Sequence, residues 1–150
     1  MTGIVSMSNL ESETEFALWA LFGGPLIVAT DIRNMSNWKK SVLLNSEIIA
    51  INQDELVLPG RRIRGVAGGP QLWSKTLANG DQAVVFYNAG DIDSVDISIS
   101  WDEIGFPIDS TVNARDLWAH STVPGSPFTS GATAKGILPH GNALWRVTKV

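Results

Sequence analysis

Apolar and polar residues follow two different rhythms along this chain, and the change falls near Pro59-Gly60. Before it the period is helical. Phe16, Trp19, Ala20 and Gly23 share one helical face, so the spacing predicts a helix over 13–22. Ser12 followed by Glu15 is a capping-box pattern that would start this helix. Gly23-Gly24-Pro25 would stop it. Leu26-Ile27-Val28-Ala29 is an unbroken apolar run of strand length, the pattern of a parallel strand buried on both faces. After Asp31 a second helical stretch is predicted, capped by Ser36 or Asn37 and carrying Trp38, Val42 and Leu43. Ser46 would cap a further turn through Ile51. The predicted order is helix, strand, helix.

After Gly60 the period becomes two. Val95, Ile97, Ile99 and Trp101 alternate with Ser94, Asp96, Ser98 and Ser100, as on a strand with one solvated face. Leu72–Leu77 and Gln82–Asn88 flank Asn79-Gly80, a hairpin-turn signal. Arg62–Val66, Thr111–Asp116, Ala132–Leu138 and Ala143–Lys149 read as further short strands. Short strands separated by Gly, Pro and Asn predict an antiparallel sandwich.

The first half poses a physical problem. A strand buried on both faces needs strand neighbours and helices on both sides, and one strand with two helices supplies neither. Leu26–Ala29 would keep an unpaired edge and exposed apolar surface. Each such side chain gains about 1.5–3 kcal/mol on burial. Residues 1–57 therefore read as the last part of a layered α/β domain that begins upstream.

Composition narrows the partners. Apolar residues make up 44% of the chain, enough for a sizeable core. The net charge of −4, from 15 acidic and 11 basic side chains, argues against nucleic acid. Arg61, Arg62 and Arg64 form too short a basic cluster to change that. There is no cysteine, hence no disulfide and no cysteine zinc site. No apolar run approaches the ~18 residues of a membrane helix, and the first residues lack the pattern of a signal peptide.

Several stretches resemble glycoside hydrolase family 27, the α-galactosidase and α-N-acetylgalactosaminidase family. They are Ala17-Leu18-Trp19-Ala20-Leu21 with Pro25-Leu26-Ile27, then Asp31-Ile32-Arg33-Asn34-Met35, then Ile49-Ala50-Ile51-Asn52-Gln53-Asp54. Asn79-Gly80-Asp81 follows, leading into Val84-Val85-Phe86-Tyr87-Asn88. Ala114-Arg115-Asp116-Leu117-Trp118-Ala119-His120 and Pro139-His140-Gly141 complete the set. Each is short, but their order and spacing are specific and cover almost the whole chain. The resemblance implies a (β/α)8 barrel followed by an antiparallel β domain. Residues 1–57 would then be the C-terminal end of the barrel, and residues 61–150 a β-sandwich domain.

The resemblance also implies a chemistry. The family's members are retaining glycosidases with one aspartate as nucleophile and another as acid/base. In the family both lie upstream of the region matched here, as do the side chains that hold the galactose. Met1-Thr2-Gly3 falls just past the acidic segment that ends the seventh strand. The expectation is a C-terminal portion without a catalytic residue of its own, whose partner is the missing N-terminal barrel segment. The complete enzyme would act on terminal α-galactosides without metal or organic cofactor. The family implies a secreted, lysosomal or vacuolar location, with the signal peptide upstream. The rival reading is a non-catalytic β-sandwich that stabilises a barrel partner or binds carbohydrate weakly.

Asp31 is the one carboxylate expected on the active-site side, since it follows the predicted strand at its C-terminal end. It would stand behind the groups that touch the sugar, or cap the next helix and pair with Arg33; the second role is favoured. Asp54 reads as a helix end at a polar junction, and Asp91 and Asp93 as turn residues. His120 and His140 are far apart in sequence, and no metal site is predicted from them. Trp73, Trp101 and Trp145 read as core, while Trp118 is the better candidate for an exposed aromatic. Asn34-Met35-Ser36 is a glycosylation sequon, meaningful in a secreted protein.

Overall fold

The structure, a computed structural model, describes residues 7–150. Met1-Thr2-Gly3 therefore lies outside the described residues. The first helix, α1 (Asn9–Phe22), starts one turn earlier than the sequence suggests. Its capping box is Ser8 with Glu11: Glu11 N donates to Ser8 Oγ at 3.2 Å, and Ser8 N to Glu11 Oε2 at 2.7 Å. Ser12 is instead buried within the helix. Four residues separate the two candidate boxes, so both fit the same helical face, and the chain uses the one that adds a full turn. Gly23 ends α1 with φ 71°, a left-handed conformation that suits glycine.

The predicted strand at Leu26–Ala29 does not form. Residues 24–29 are irregular, and Ile27 N closes a tight turn onto Pro25 O at 3.0 Å. The physical reason is the one the sequence raises: no strand among the described residues lies beside this run to complete a ladder. A short 3-10 turn (Ile32–Asn34) follows, then α2 (Asn37–Leu43) capped by Ser36, and α3 (Ser46–Asn52). Asn45, not Ser46, caps α3, its Oδ1 accepting from Glu47 N and Ile48 N at 3.1 Å each.

Nine strands follow: β1 (Arg61–Gly65), β2 (Pro70–Thr76), β3 (Gln82–Asn88), β4 (Val95–Ser100), β5 (Thr111–Asp116), β6 (Ser121–Thr122), β7 (Phe128–Thr129), β8 (Gly131–Ile137) and β9 (Asn142–Lys149). Every pairing is antiparallel. One sheet runs β1-β2-β3-β9-β5-β6, with β7 also on β5, and β4-β8 forms the second. The sheets are open, and no closed barrel is present among the described residues. Ile97, Ile99 and Trp101 face inward as the alternation predicts, and Ser94, Asp96 and Ser98 face solvent. Trp101 itself sits in a 3-10 turn (Trp101–Ile104) just past β4.

The large sheet is covered on both faces. Leu72, Val84, Phe86, Trp145 and Val147 meet Ile97, Ile99 and Trp101 in the sandwich core. The opposite face places Leu77, Ala83, Val85 and Leu144 against Phe16, Ala17, Ala20, Leu21, Ile48 and Ile51 of the helices. This explains why β3 is apolar at consecutive positions rather than alternating: both of its faces are inside.

Polar ties fix the helical layer to the sheet. Asp54 accepts from Ala78 N at 3.0 and 3.1 Å, joining the end of α3 to the β2–β3 loop. Asn45 Nδ2 donates to Leu117 O at 2.8 Å. Glu47 takes both Arg115 nitrogens, at 2.5 and 2.9 Å, and His120 Nδ1 lies 2.6 Å away. The Arg115 hydrogen bonds, partly opposed by burial, hold the Glu47 carboxyl down at about 2, against an ordinary 4.5. A depressed carboxyl stabilises the fold fully above its unfolded pKa and loses that contribution as pH falls through its folded one. Acid unfolding should therefore steepen between pH 4.5 and about 2. Glu47→Gln should flatten that window in a circular-dichroism pH titration; an unchanged profile would remove Glu47 from the acid response.

Candidate functional site

Asp31 leads the 3-10 turn as its N-cap, with Oδ1 accepting from Arg33 N at 3.0 Å. The same carboxylate takes Arg33 Nε at 2.9 Å and Nη2 at 2.8 Å, a bidentate pair on an exposed loop. The Arg33 side-chain hydrogen bonds, then its backbone N–H, hold the Asp31 carboxyl below its ordinary value. Asp31 thus caps the turn and pairs with Arg33, the role the sequence favours. Asn34 of the sequon is exposed beside it.

The remaining candidates serve structure. Asp91 pairs with His140 at 3.2 Å, and Asp93 O accepts from Asn88 Nδ2 at 2.8 Å, both within turns. His140 has φ 60°, and its carbonyl accepts from Thr14 Oγ1 at 2.7 Å, tying this turn to α1. Trp73, Trp101 and Trp145 pack in the two cores. Trp118 is half-buried rather than exposed, because its Nε1 donates to Asn142 Oδ1 at 2.9 Å and its ring lies against the helical core.

Two features were not foreseen from sequence. Lys75, on the helix-facing side of β2, is only 1% exposed, and its Nζ donates to Ile51 O at 2.6 Å, at the C-terminal end of α3. Burial lowers its pKa, and the nearby Asp54 charge opposes that. The β-strand pattern around Lys75 places it on the same face as Trp73 and Leu77, and that signal was available. The second feature is a shallow cleft lined by Glu11, Thr14, Glu15, Leu18, Tyr87 and His140. Glu11 is held below its ordinary value, chiefly by its bond to Ser8 N. The carboxyl that is raised is Glu13, by burial against a hydrogen bond from Trp38, and it does not line this cleft.

The helical layer also carries apolar side chains that the described residues cover only in part. Residues 16–22 of α1, Phe-Ala-Leu-Trp-Ala-Leu-Phe, are apolar all round. Phe16, Ala17, Ala20 and Leu21 face the sheet. On the other side Leu18, Trp19 and Phe22 line a groove of about 420 Å³ together with Glu15. Ile27 and Ile32 nearby are each 69% exposed. A helix apolar on every face is a helix built for burial on both sides.

Comparison with known proteins matches two family models. One, described as the alpha galactosidase C-terminal beta sandwich domain, covers residues 67–147; the other, alpha galactosidase A, covers residues 1–54. The alpha-galactosidase of Coffea arabica is 38% identical over 142 residues, 95% of this chain and 36% of the relative. That of Oryza sativa subsp. japonica is 35% identical over 142 residues, 95% of this chain and 33% of the relative. The chain thus spans about a third of the length of these curated relatives. The crystal structure of alpha-galactosidase I from Mortierella vinacea superposes with a TM-score of 0.89 at 32% identity, over 97% of this chain and 37% of that one. A family 27 β-L-arabinopyranosidase from Geobacillus stearothermophilus shares the fold, with a TM-score of 0.85 at 23% identity, over 97% of this chain and 31% of that one. The architecture by itself therefore does not choose the sugar.

Proposed function

Because this chain belongs to the α-galactosidase family of glycoside hydrolases, we propose that it forms the C-terminal portion of an enzyme that releases terminal α-galactosyl groups. The observation that carries this reading is the apolar side of α1, with Leu18, Trp19 and Phe22, which the described residues cover only in part. In the complete enzyme a barrel-forming segment covers that side and supplies the two catalytic carboxyls. Residues 1–57 then belong to the barrel and residues 61–150 to the sandwich that buttresses it. The bonds of Asp54 and Asn45 and the shared helix–sheet core lock these units together. The reading places the enzyme outside the cytosol, in a secreted, lysosomal or vacuolar setting. No described helix is long and apolar enough to cross a membrane.

Asp31 has a defined part in this reading. Its bidentate pair with Arg33 fixes the turn after residues 24–29, at the barrel's active-site side, behind the residues that hold the sugar. The test uses an aryl α-galactoside and the folded 150-residue chain. Release of the aryl group should stay at the buffer rate, in the wild type and in Asp31→Asn alike. Turnover by the chain that vanishes in Asp31→Asn would make Asp31 a catalyst and overturn the assignment.

A further inference from the structure

A further pocket lies between residues 58–61, strands β2 and β3 and the turn that carries Ile104. It measures about 360 Å³ and is lined by Leu58, Pro59, Gly60, Arg61, Ser74, Thr76, Gln82 and Ile104. That is near the lower end of the volumes, about 300–1,000 Å³, that hold small molecules. Its outer wall is fixed. Gly60 N donates to Leu21 O at 2.9 Å, and a Cβ on Gly60 would come within 2.5 Å of Leu21 Cγ. The strap 58–60 is thereby pinned against α1 at Gly60.

The polar groups of this pocket are arranged in a particular way. Gln82 is 6% exposed and Ser74 4% exposed. Ser74 Oγ and Thr76 Oγ1 both donate to Gln82 Oε1, each at 3.1 Å. The two hydroxyl protons are therefore used, and what the hydroxyls offer further is lone pairs. The Gln82 amide NH2 has no protein acceptor among the described residues and is not sealed from solvent, so it is free to donate to a molecule in the pocket. Arg61, at the rim, has no ion-pair partner among the described residues, whereas Arg64 pairs with Glu103 at 2.7 Å. Leu58, Pro59 and Ile104 form an apolar side.

These groups select an occupant. An apolar ligand would leave the Gln82 amide and the hydroxyl lone pairs unpaired. A metal ion would find no carboxylate in the lining. A fully deprotonated anion would satisfy Arg61 and Gln82 but bring no donor to the hydroxyl lone pairs; inorganic phosphate, which keeps an O–H near neutrality, is distinguished by the titration below. A sugar hydroxyl both donates and accepts, and the C–H face of a pyranose ring suits the apolar side. We infer that the pocket between the strap 58–60 and strands β2 and β3 binds a neutral monosaccharide unit through Gln82, Ser74, Thr76 and Arg61. This site is independent of the hydrolytic reading above, since no catalytic group is involved in it.

The test is a nitrogen–proton correlation spectrum of the folded 150-residue chain titrated with D-galactose, and separately with inorganic phosphate. Galactose should shift the Gln82 side-chain NH2 pair and the Ser74 and Thr76 amides saturably, with a Kd on the order of 1–10 mM. Gln82→Leu should raise that Kd at least about tenfold, the loss of one well-placed polar contact. Arg61→Ala, at an exposed position that tolerates truncation, should raise it about threefold and guards against misfolding of the Gln82 variant. Absence of saturable shifts in the folded wild type would overturn the site. So would shifts centred elsewhere, or shifts that persist unchanged in Arg61→Ala and in folded Gln82→Leu. Binding of phosphate but not galactose at these residues would overturn the assignment of a neutral sugar.

Discussion

Lys75→Ala should destabilise the chain by about 2–4 kcal/mol, measured by urea unfolding at neutral pH. Lys75 Nζ is the donor to Ile51 O, at the end of α3 where the helix dipole concentrates negative charge. Truncation to alanine leaves that carbonyl unpaired in a buried place and empties the space of the side chain's stem. The loss is less than the sum of those terms, because a desolvated ammonium also leaves. Lys75→Met keeps most of the stem and removes the charge, so its cost should be smaller, about 1 kcal/mol. The pH dependence separates the two contributions. Burial lowers the lysine pKa from 10.5 in the fold, so the unfolded chain binds more protons between that lowered value and 10.5. Stability from this group therefore rises with pH across that window, and the slope should disappear in Lys75→Met. An alanine variant within 0.5 kcal/mol of wild type, roughly the scatter of neutral surface changes, would show that Lys75 does not hold the helices to the sheet.

The sandwich was legible because its strands alternate. The period-two runs at 95–100 and 111–116 are half-buried strands whose faces obey one rule, whereas β9, with Leu144 in one core and Trp145 in the other, is buried on both faces like β3. β3 broke the rule, since Val84 and Phe86 face one core while Ala83 and Val85 face the other. The sequence does not say which apolar run has helices behind it. The very short strands β6 and β7, two residues each, carry no pattern long enough to read. Leu26–Ala29 was misread for a different reason. An apolar run of strand length needs a neighbour to become a strand, and the neighbour is not among the described residues. Trp118 shows the same limit on a smaller scale, because only folding brings Asn142 to its indole.

Site residues were legible where the contact is local. Asp31 and Arg33 are two residues apart, and their pairing was readable as a cap. Glu47 and His120 are 73 positions apart and Lys75 and Ile51 are 24 apart, so no local pattern announced either contact. The pocket at Gln82 is of the same kind, since β2, β3 and the strap 58–60 meet only in the fold.

The second large effect concerns activity. Replacing the stretch of the Mortierella vinacea α-galactosidase I that this chain matches with residues 1–150 should give a folded chimera that cleaves an aryl α-galactoside. On the proposed reading the paired acid and nucleophile come from the barrel-forming segment, and loss of acid–base assistance by itself costs about 10²–10⁴-fold. The chimera should therefore exceed the chain by at least that factor. Trp19→Asp and Phe22→Asp in the chimera should abolish assembly, because each would bury an unpaired carboxylate against the covering segment. They should leave the chain alone folded, since Phe22 is 42% exposed there and Trp19 lines an open groove. The most direct measurement is the rate of aryl α-galactoside hydrolysis by this chimera, set beside that of the 150-residue chain. Turnover by the chimera, lost in Trp19→Asp, with the chain at the buffer rate, is the predicted result. A folded chimera without turnover, or a chain as active as the chimera, would contradict the account.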